Sequence, residues 1–418
     1  MLKKVRVFDL QVGMYVVDTG LSWLDHPYLY CQEGPVESDD HIRAIRAEGF
    51  AEAFIETDRD ALAQGAARIY DKEAIDRAVA EALCEIPAEL KSNKNTPLAQ
   101  EMREAARAHA ASIAAVRLAM EAAASGAPVD AKACLDAARD IAASVMRNRD
   151  ALVCLTRLHD GGGYHIRHCA GVSALSAAFG DYLGLDRGQV ADLALAGLLH
   201  DIGKALAPRE LLEKPGKLSP EEFALLKRHP VEGCTLVSGA SGVVGAPGGP
   251  TVPGHVLRAI AEHHERHDGS GYPRGLKGSE QSLFGRILAI ADVFDALTQD
   301  RPYKKRLLPD KAMSVMFALR GRDHEPALLE RFIKAVGVYP TGSLVRLSSG
   351  EHAVVGESNP HTPLRPKVTV VFDQDMAPIH PVQFDLSGRD GPAPARPVEV
   401  TGIIDHRPHG IRAGEHLL

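Results

Sequence analysis

No apolar run in this sequence approaches the ~18 residues that a membrane span needs. The most apolar helical stretch, Leu193 to Leu199, follows Asp192 and ends at His200 and Asp201. The N-terminal run Met-Leu-Lys-Lys-Val-Arg-Val-Phe-Asp lacks the apolar core of a secretory signal, so a cytoplasmic protein is expected. Six cysteines (Cys31, Cys84, Cys134, Cys154, Cys169, Cys234) stand far apart, with no Cys-x-x-Cys pair. Reduced thiols follow, and a disulfide scaffold and a Cys-ligated structural zinc are both disfavoured. Positive charge is not in excess: 48 basic residues face 55 acidic ones, a net charge of −7. A basic footprint for DNA or RNA is therefore missing, and an anionic substrate needs a local cationic cluster. The single tryptophan, Trp23, reads as a core or lid anchor.

The 418 residues, 45% apolar and 25% charged, suit an ordinary soluble protein of two or three domains. Short alternating runs at Val5–Leu10 and Met14–Val17, a helix opened by Asp39-Asp40 and a strand at Phe54–Glu56 predict a small α+β domain over 1–57. Residues 58–147 read as helical, with 18 alanines among the 45 residues from Glu101 to Val145. Gly126 and Pro128 divide this stretch, a spacer or a homodimerising helical pair. Residues 148–339 read as all-helical. Capping boxes at Asp186-x-x-Gln189 and Ser219-Pro220-x-Glu222 open helices running to about His200 and His229. Further helices are predicted from about Pro253 to Arg266 and from about Gln281 to Thr298. Ser238–Gly254, with six glycines and three prolines, reads as a flexible insertion that is either a lid or a longer loop. Residues 340–418 form a β-rich appendage, with strands at Leu344–Leu347, His352–Val355, Val368–Phe372 and Val398–Ile404. Its histidines (His352, His361, His380, His406, His409) lack ligand spacing and read as surface residues. The fold class is thus mainly α, with a small α+β domain before the helices and a β-rich appendage after them.

Histidine is what the sequence has in plenty: 19 in all, nine of them between His159 and His267. His200-Asp201 ends an apolar helix, where adjacent side chains point ~100° apart. The imidazole can hold one cation while the carboxylate, with two oxygens, reaches between two. His168, His229, His263, His264 and Asp292 join them on other predicted helices. Taken singly, each suits a satisfied core polar group. Seven together are costly to bury unless a cation gathers them. Histidine with carboxylate suits Fe, Mn, Zn or Ni. Downstream, Asp300-Arg301-Pro302-Tyr303-Lys304-Lys305-Arg306 could clamp phosphates or be a solvated helix start.

Three segments in order, His200-Asp201-Ile-Gly-Lys204, His263-His264-Glu-Arg-x-Asp268-Gly-Ser-Gly271-Tyr272-Pro273 and Ala291-Asp292-Val-Phe-Asp-Ala-Leu-Thr, resemble the HD-GYP subgroup of the HD superfamily. Arg301-Pro-Tyr-Lys304 matches the same family. The likeness covers about 148–338, and the N-terminal segment is similar to a small domain of unknown function that often precedes HD-GYP domains. The resemblance implies a metal-dependent phosphodiesterase acting on cyclic di-GMP, giving pGpG and often GMP by attack of a metal-activated hydroxide. It implies two divalent ions, most often iron or manganese. His168, His200, Asp201 and Asp292 would hold one. Asp201 would bridge to a second, held by His229, His263 and His264. Lys204 would meet the scissile phosphate, Arg301 and Lys304 the substrate's phosphates or guanine, and Asp268, Gly271, Tyr272 and Pro273 would shape the pocket. Members with a third metal carry a glutamate where this chain has Tyr164, so two ions are expected. His267 stands where the family has an apolar residue and reads as a rim residue. An HD hydrolase of mononucleotides or guanosine alarmones, and an inactive cyclic di-GMP sensor or docking module, are the alternatives. Protein partners would meet the Gly-Tyr-Pro turn or the N-terminal domain.

Overall fold

The computed structural model describes residues 2–19, 21, 26, 28–56, 96–129, 131–158, 163–212, 214, 218–238, 252–300, 306–359, 361–388, 398–407 and 411. Trp23, residues 57–95, Arg301, Lys304, His409 and residues 239–251 of the insertion lie outside that set.

The N-terminal unit is a mixed sheet of β1 (Leu2–Arg6), β2 (Tyr15–Val16), β3 (Leu29–Tyr30), β4 (Gly34–Pro35) and β5 (Glu52–Glu56), with helix α1 (Asp39–Ala47). The strand order is β1-β5-β2-β4, and β3 runs parallel to β5. Ser38 caps α1 by accepting the His41 N–H at 3.1 Å, and Asp39 and Asp40 sit at its positive end. Its inward Ile42 and Ile45 pack with Val5, Val7, Val16 and Ile55 in a core of their own.

The centre is helical: α2 (Leu98–Ala124), α3 (Ala131–Arg147), α4 (Arg149–Leu158), α5 (Tyr164–Tyr182), α6 (Arg187–Leu199), α7 (Arg209–Leu212), α8 (Pro220–Leu226), α9 (His229–Ser238), α10 (Gly254–Glu262), α11 (Leu283–Thr298), α12 (Pro309–Ala318) and α13 (Pro326–Val336). Both expected capping boxes form. Asp186 and Gln189 exchange bonds of 2.9 and 3.1 Å, and Ser219 and Glu222 of 3.2 and 2.6 Å. In α5 and α6 buried residues occupy every face, which places these helices at the middle of the bundle. Phe179 and Phe294 both meet Phe332 edge-on at 5.3 and 5.4 Å. Glu101, buried between α2 and α3, accepts from Ser144 Oγ at 2.7 Å and Arg147 Nε at 2.6 Å. No helix of the described residues is long and apolar enough to cross a membrane. Among the described residues, Cys154, Cys169 and Cys234 are free thiols.

The C-terminal sheet has the order β10-β6-β7-β8-β9, from β6 (Leu344–Leu347), β7 (His352–Glu357), β8 (Lys367–Phe372), β9 (Pro378–Asp385) and β10 (Val400–Ile404), all antiparallel. Alternation sends Val345, Val355 and Val368 to one core and Leu344, Val354 and Val371 to another.

Several sequence expectations need correction. β9 is an additional strand, hidden in the sequence by Pro378 and Pro381; it is an edge strand, where missing N–H donors are tolerated. His352 is buried, not on the surface, and its Nδ1 pairs with the Asp373 carbonyl at 2.8 Å. His229 begins a helix instead of ending one. The preceding helix stops at Leu226, and Pro230 falls in the first turn of α9, where its missing N–H leaves no helical bond unmade. The helix expected to reach Arg266 ends at Glu262. Beyond it the N–H groups of His267 and Asp268 turn to the carbonyls of Asp323 and Arg322, at 3.1 and 3.0 Å.

Candidate metal centre

Five parts of the helical unit converge. α5 brings His168 in its second turn. His200 and Asp201 leave the end of α6, and a 3-10 helix over Ile202–Leu206 carries Lys204. His229 opens α9, His263 and His264 follow α10, and Asp292 lies inside α11. Two glycines permit the approach. A Cβ on Gly203 would lie 2.0 Å from the His229 carbonyl oxygen, and one on Gly271 would lie 2.3 Å from the Arg266 nitrogen. Only glycine lets these backbone segments touch.

The seven residues fall into two groups. Asp201, His229, His263 and His264 offer ligand atoms within 4.8 Å of one another, and so do His168, His200 and Asp292. Asp201 stands between them, fully buried. Its Oδ2 faces His200 Nε2 at 3.5 Å and His168 Nε2 at 3.8 Å. Its Oδ1 faces His229 Nε2 at 3.3 Å and His263 Nε2 at 3.9 Å. Asp292 Oδ1 lies 2.9 Å from His168 Nε2 and 3.8 Å from His200 Nε2.

The imidazoles are aimed by their other nitrogen. Nδ1 of His200, His229 and His263 donates to the carbonyls of Gly197, Leu226 and Ile260 at 2.9, 2.8 and 2.6 Å. His168 Nδ1 donates to Asp295 Oδ2 at 2.7 Å. In neutral rings this leaves the Nε2 lone pairs pointing inward. His229 and His263 Nε2 then face each other at 3.3 Å, and His200 Nε2 is buried with no hydrogen-bond partner. Lone pairs crowded against each other and against carboxylates repel unless a cation lies among them. The donor set, five imidazoles and two carboxylates, fits divalent transition-metal ions.

The electrostatics favour neutral imidazoles at His200, His263 and His264 and charged carboxylates at Asp201 and Asp292, while His168 is drawn towards the charged form. Burial pushes His263 and His264 well below the usual imidazole range, reinforced by their neighbouring imidazoles, and it lowers His200 as well. Burial would raise Asp201, but His200, Lys204 and His229 outweigh it and hold the carboxyl well below its usual value. Asp292 is likewise held low against burial, by His168 and His200. At His168 burial opposes the charged form, yet Asp292 and Asp295 leave the ring well above its usual value.

Lys204 Nζ lies 2.6 Å from Asp201 Oδ2 and is partly buried, so one fixed cation already flanks the cluster. The Tyr272 ring stacks on His264, centroids 4.7 Å apart, and meets Phe223 edge-on at 6.1 Å. The Tyr272–Pro273 peptide is cis. Asp268 spends Oδ1 on the Ser270 N–H and hydroxyl, at 2.8 and 2.6 Å, and so shapes the turn. His267 is half-buried. Arg301 and Lys304 lie outside the described residues.

Four contributors were given no supporting role from sequence, Tyr164 having been noted only as the place of a missing third-metal glutamate. Asp295 orients His168; its signal was a second aspartate one helical turn after Asp292. Tyr164 stacks on His168 with centroids 5.6 Å apart and planes 8° off parallel. Glu265 accepts the N–H groups of Arg274 and Leu276, at 2.7 and 2.9 Å, tying down the turn after the histidines. Glu262 accepts the Ser282 N–H at 2.7 Å and pairs with Arg274. No local pattern distinguishes these glutamates from surface ones.

Residues 138–328 match the HD domain family, residues 2–134 a domain of unknown function (DUF3391), and residues 344–387 a KOW domain associated with HD domains. The chain is 36% identical over 392 residues to a cyclic di-GMP phosphodiesterase of Pseudomonas aeruginosa, covering 94% of this chain and 90% of the other. It is 39% identical over 198 residues to the cyclic di-GMP phosphodiesterase response regulator RpfG of Xanthomonas campestris, 45% of this chain and 48% of that one. A 3'3'-cGAMP-specific phosphodiesterase of Vibrio cholerae matches 156 residues at 40% identity, 37% of this chain and 33% of the other.

Proposed function

The chain belongs to the HD-GYP family of HD-domain proteins, and from that premise we propose that it is a metal-dependent phosphodiesterase that hydrolyses cyclic di-GMP to pGpG, GMP or both. The observation that carries this reading is Asp201, whose two oxygens face two separate groups of inward-pointing histidines. In this reading His168, His200, Asp292 and Asp201 hold one divalent ion, and Asp201, His229, His263 and His264 hold another, iron or manganese by preference. Bound there, such ions supply a water acidic enough to attack at neutral pH and neutralise charge on the phosphoryl oxygens.

The remaining work falls to the chain. The carbonyl-anchored Nδ1–H groups keep His200, His229 and His263 in one tautomer. Lys204, beside Asp201, meets the phosphoryl oxygen and offsets charge that grows in the transition state. Arg301 and Lys304 hold the substrate's phosphates or guanine. Tyr272, with Gly271 and Pro273, walls the pocket beside His264, and Asp268 fixes that wall. The same reading divides the chain into a regulatory unit over 1–57, a linking or dimerising segment over 58–147, the catalytic domain over 148–339 and the β-rich appendage over 340–418.

The test is product analysis. Protein purified without oxygen and loaded with Fe(II) or Mn(II) is given cyclic di-GMP, 3'3'-cGAMP or a mononucleotide, and products are separated by chromatography. We expect pGpG or GMP from cyclic di-GMP, abolished by a chelator. Faster turnover of the mononucleotide would make the protein a different HD hydrolase, and faster turnover of 3'3'-cGAMP would reassign the substrate. Tight binding without product at about two ions per chain would make it a sensor.

A further inference from the structure

The turn that follows the paired histidines is braced on its outer side by one short loop. That loop, between α12 and α13, gives the Asp323 carbonyl to the His267 N–H and the Arg322 carbonyl to the Asp268 N–H. Arg322 Nε also lies 3.8 Å from Asp268 Oδ2. On its other face the same loop meets the N-terminal unit. His26 Nε2 and Asp323 Oδ2 are 2.6 Å apart, each side chain 2% exposed. The Arg322 guanidinium lies over the Tyr28 ring, 3.4 Å from its centroid. Both N-terminal residues are fastened to their own sheet. The His26 carbonyl accepts the Leu29 N–H at the start of β3, and the Tyr28 carbonyl accepts the N–H groups of Ala51 and Glu52 at β5. Lys311 on α12 reaches Glu56 at 2.7 Å, docking the same sheet a second time.

A continuous chain of contacts therefore runs from β3, through His26 and Asp323, to His267. It continues through the turn to Tyr272, which bonds the His264 carbonyl at 3.2 Å and stacks on the His264 ring. His26 belongs to neither hydrophobic cluster, although Tyr28 and Leu29 beside it pack with the helical one, and its contact with Asp323 joins residues 297 positions apart. We propose that His26 is a positioning residue. Through Asp323 it holds the 264–276 turn, and with it the His264 side of the cluster, so that anything bound to the N-terminal unit is felt at that histidine. The last step rests on the metal-centre reading given above; the mechanical link does not.

The experiment uses the full chain in three variants, His26→Ala, His26→Gln and Ile42→Ala. Ile42 lies in the N-terminal core away from the contact, so its truncation weakens that unit without removing the link. Hydrogen–deuterium exchange of residues 264–276 and Mn(II) stoichiometry and affinity by titration are read alongside activity. With His26→Ala we expect at least tenfold faster exchange in the turn, weaker binding of one of two ions and a fall in kcat larger than any change in KM. His26→Gln, whose amide can still donate to Asp323, restores most of this, and Ile42→Ala leaves the turn as it was. Unchanged exchange in His26→Ala overturns the proposal. So does an equal effect from Ile42→Ala, which would trace the change to loss of the whole unit. If the wild type turns over no cyclic dinucleotide while His26→Ala still loosens the turn, the function falls and the link stands.

Discussion

Asp201 faces both groups of clustered histidines, Oδ2 towards His168 and His200 and Oδ1 towards His229 and His263. Replacing Asp201 with alanine should reduce bound metal from about two ions to one or fewer and abolish hydrolysis, as read by elemental analysis and product chromatography. Asp295 should behave differently. Asp295→Asn keeps its shape but weakens the acceptor for His168 Nδ1, so metal affinity should fall about 10–100-fold while the fold persists. A titration with Mn(II) against a melting curve separates the two effects. His324 gives a pH prediction free of metal. Burial pushes its imidazole down to about 3, from an ordinary 6.5. Below pH 6.5 the unfolded chain takes up a proton that the folded chain refuses, so this group costs stability as pH falls towards 3. Between pH 6.5 and 5 the loss approaches about 2 kcal/mol. Denaturant unfolding at the two pH values should show His324→Gln losing less than wild type by that amount. The seven clustered residues were legible because histidine is scarce in ordinary cores and the motifs have ordered spacing. Asp295 and His26 were not, because their roles exist only once distant elements meet.

At the scale of elements, the site depends on close backbone approaches. The turn bearing His200 and Asp201 touches the start of α9 at Gly203. Both sides of that contact are backbone, so neither can yield. Gly203→Ala should destabilise the protein by about 1–3 kcal/mol and separate Asp201 from His229. Calorimetry and metal content would both register it, and unchanged values would refute the packing argument. Helix starts were the most readable elements, since capping boxes at Asp186 and Ser219 are local chemistry. The end of α10 was not readable. Nothing local between Glu262 and Arg266 marks the stop, whereas in the fold the chain beyond it turns the His267 and Asp268 N–H groups to the carbonyls of Asp323 and Arg322, some sixty residues later. β9 was hidden for a related reason. Its prolines argue against a strand until the sheet shows it at an edge.

For the molecule as a whole, both flanking sheets are bound to the helical core by buried polar contacts. Asp150 accepts the Ser358 N–H at 3.1 Å and its hydroxyl at 2.9 Å. Arg157 donates to Ser343 Oγ at 3.1 Å. Asp150→Ala strands a buried donor, at a cost of about 1–3 kcal/mol. Limited proteolysis should then cut residues 339–388 faster while the helical core resists as before; equal resistance would show that this contact does not hold the sheet. The broad class, helices between two small sheet-containing units, could be read from composition and periodicity. How the units are fastened could not, because each fastening joins residues hundreds of positions apart.

The pairing of His26 with Asp323 also sets an order of events during synthesis. The two residues are separated by 297 positions, which at 5–20 residues per second is about 15–60 s of translation. The N-terminal sheet leaves the ribosome long before its counterpart exists. The turn beside His264 can be braced only when the loop before α13 emerges, so a nascent chain stalled ahead of Asp323 would carry all five histidines of the cluster while that turn is not yet fastened.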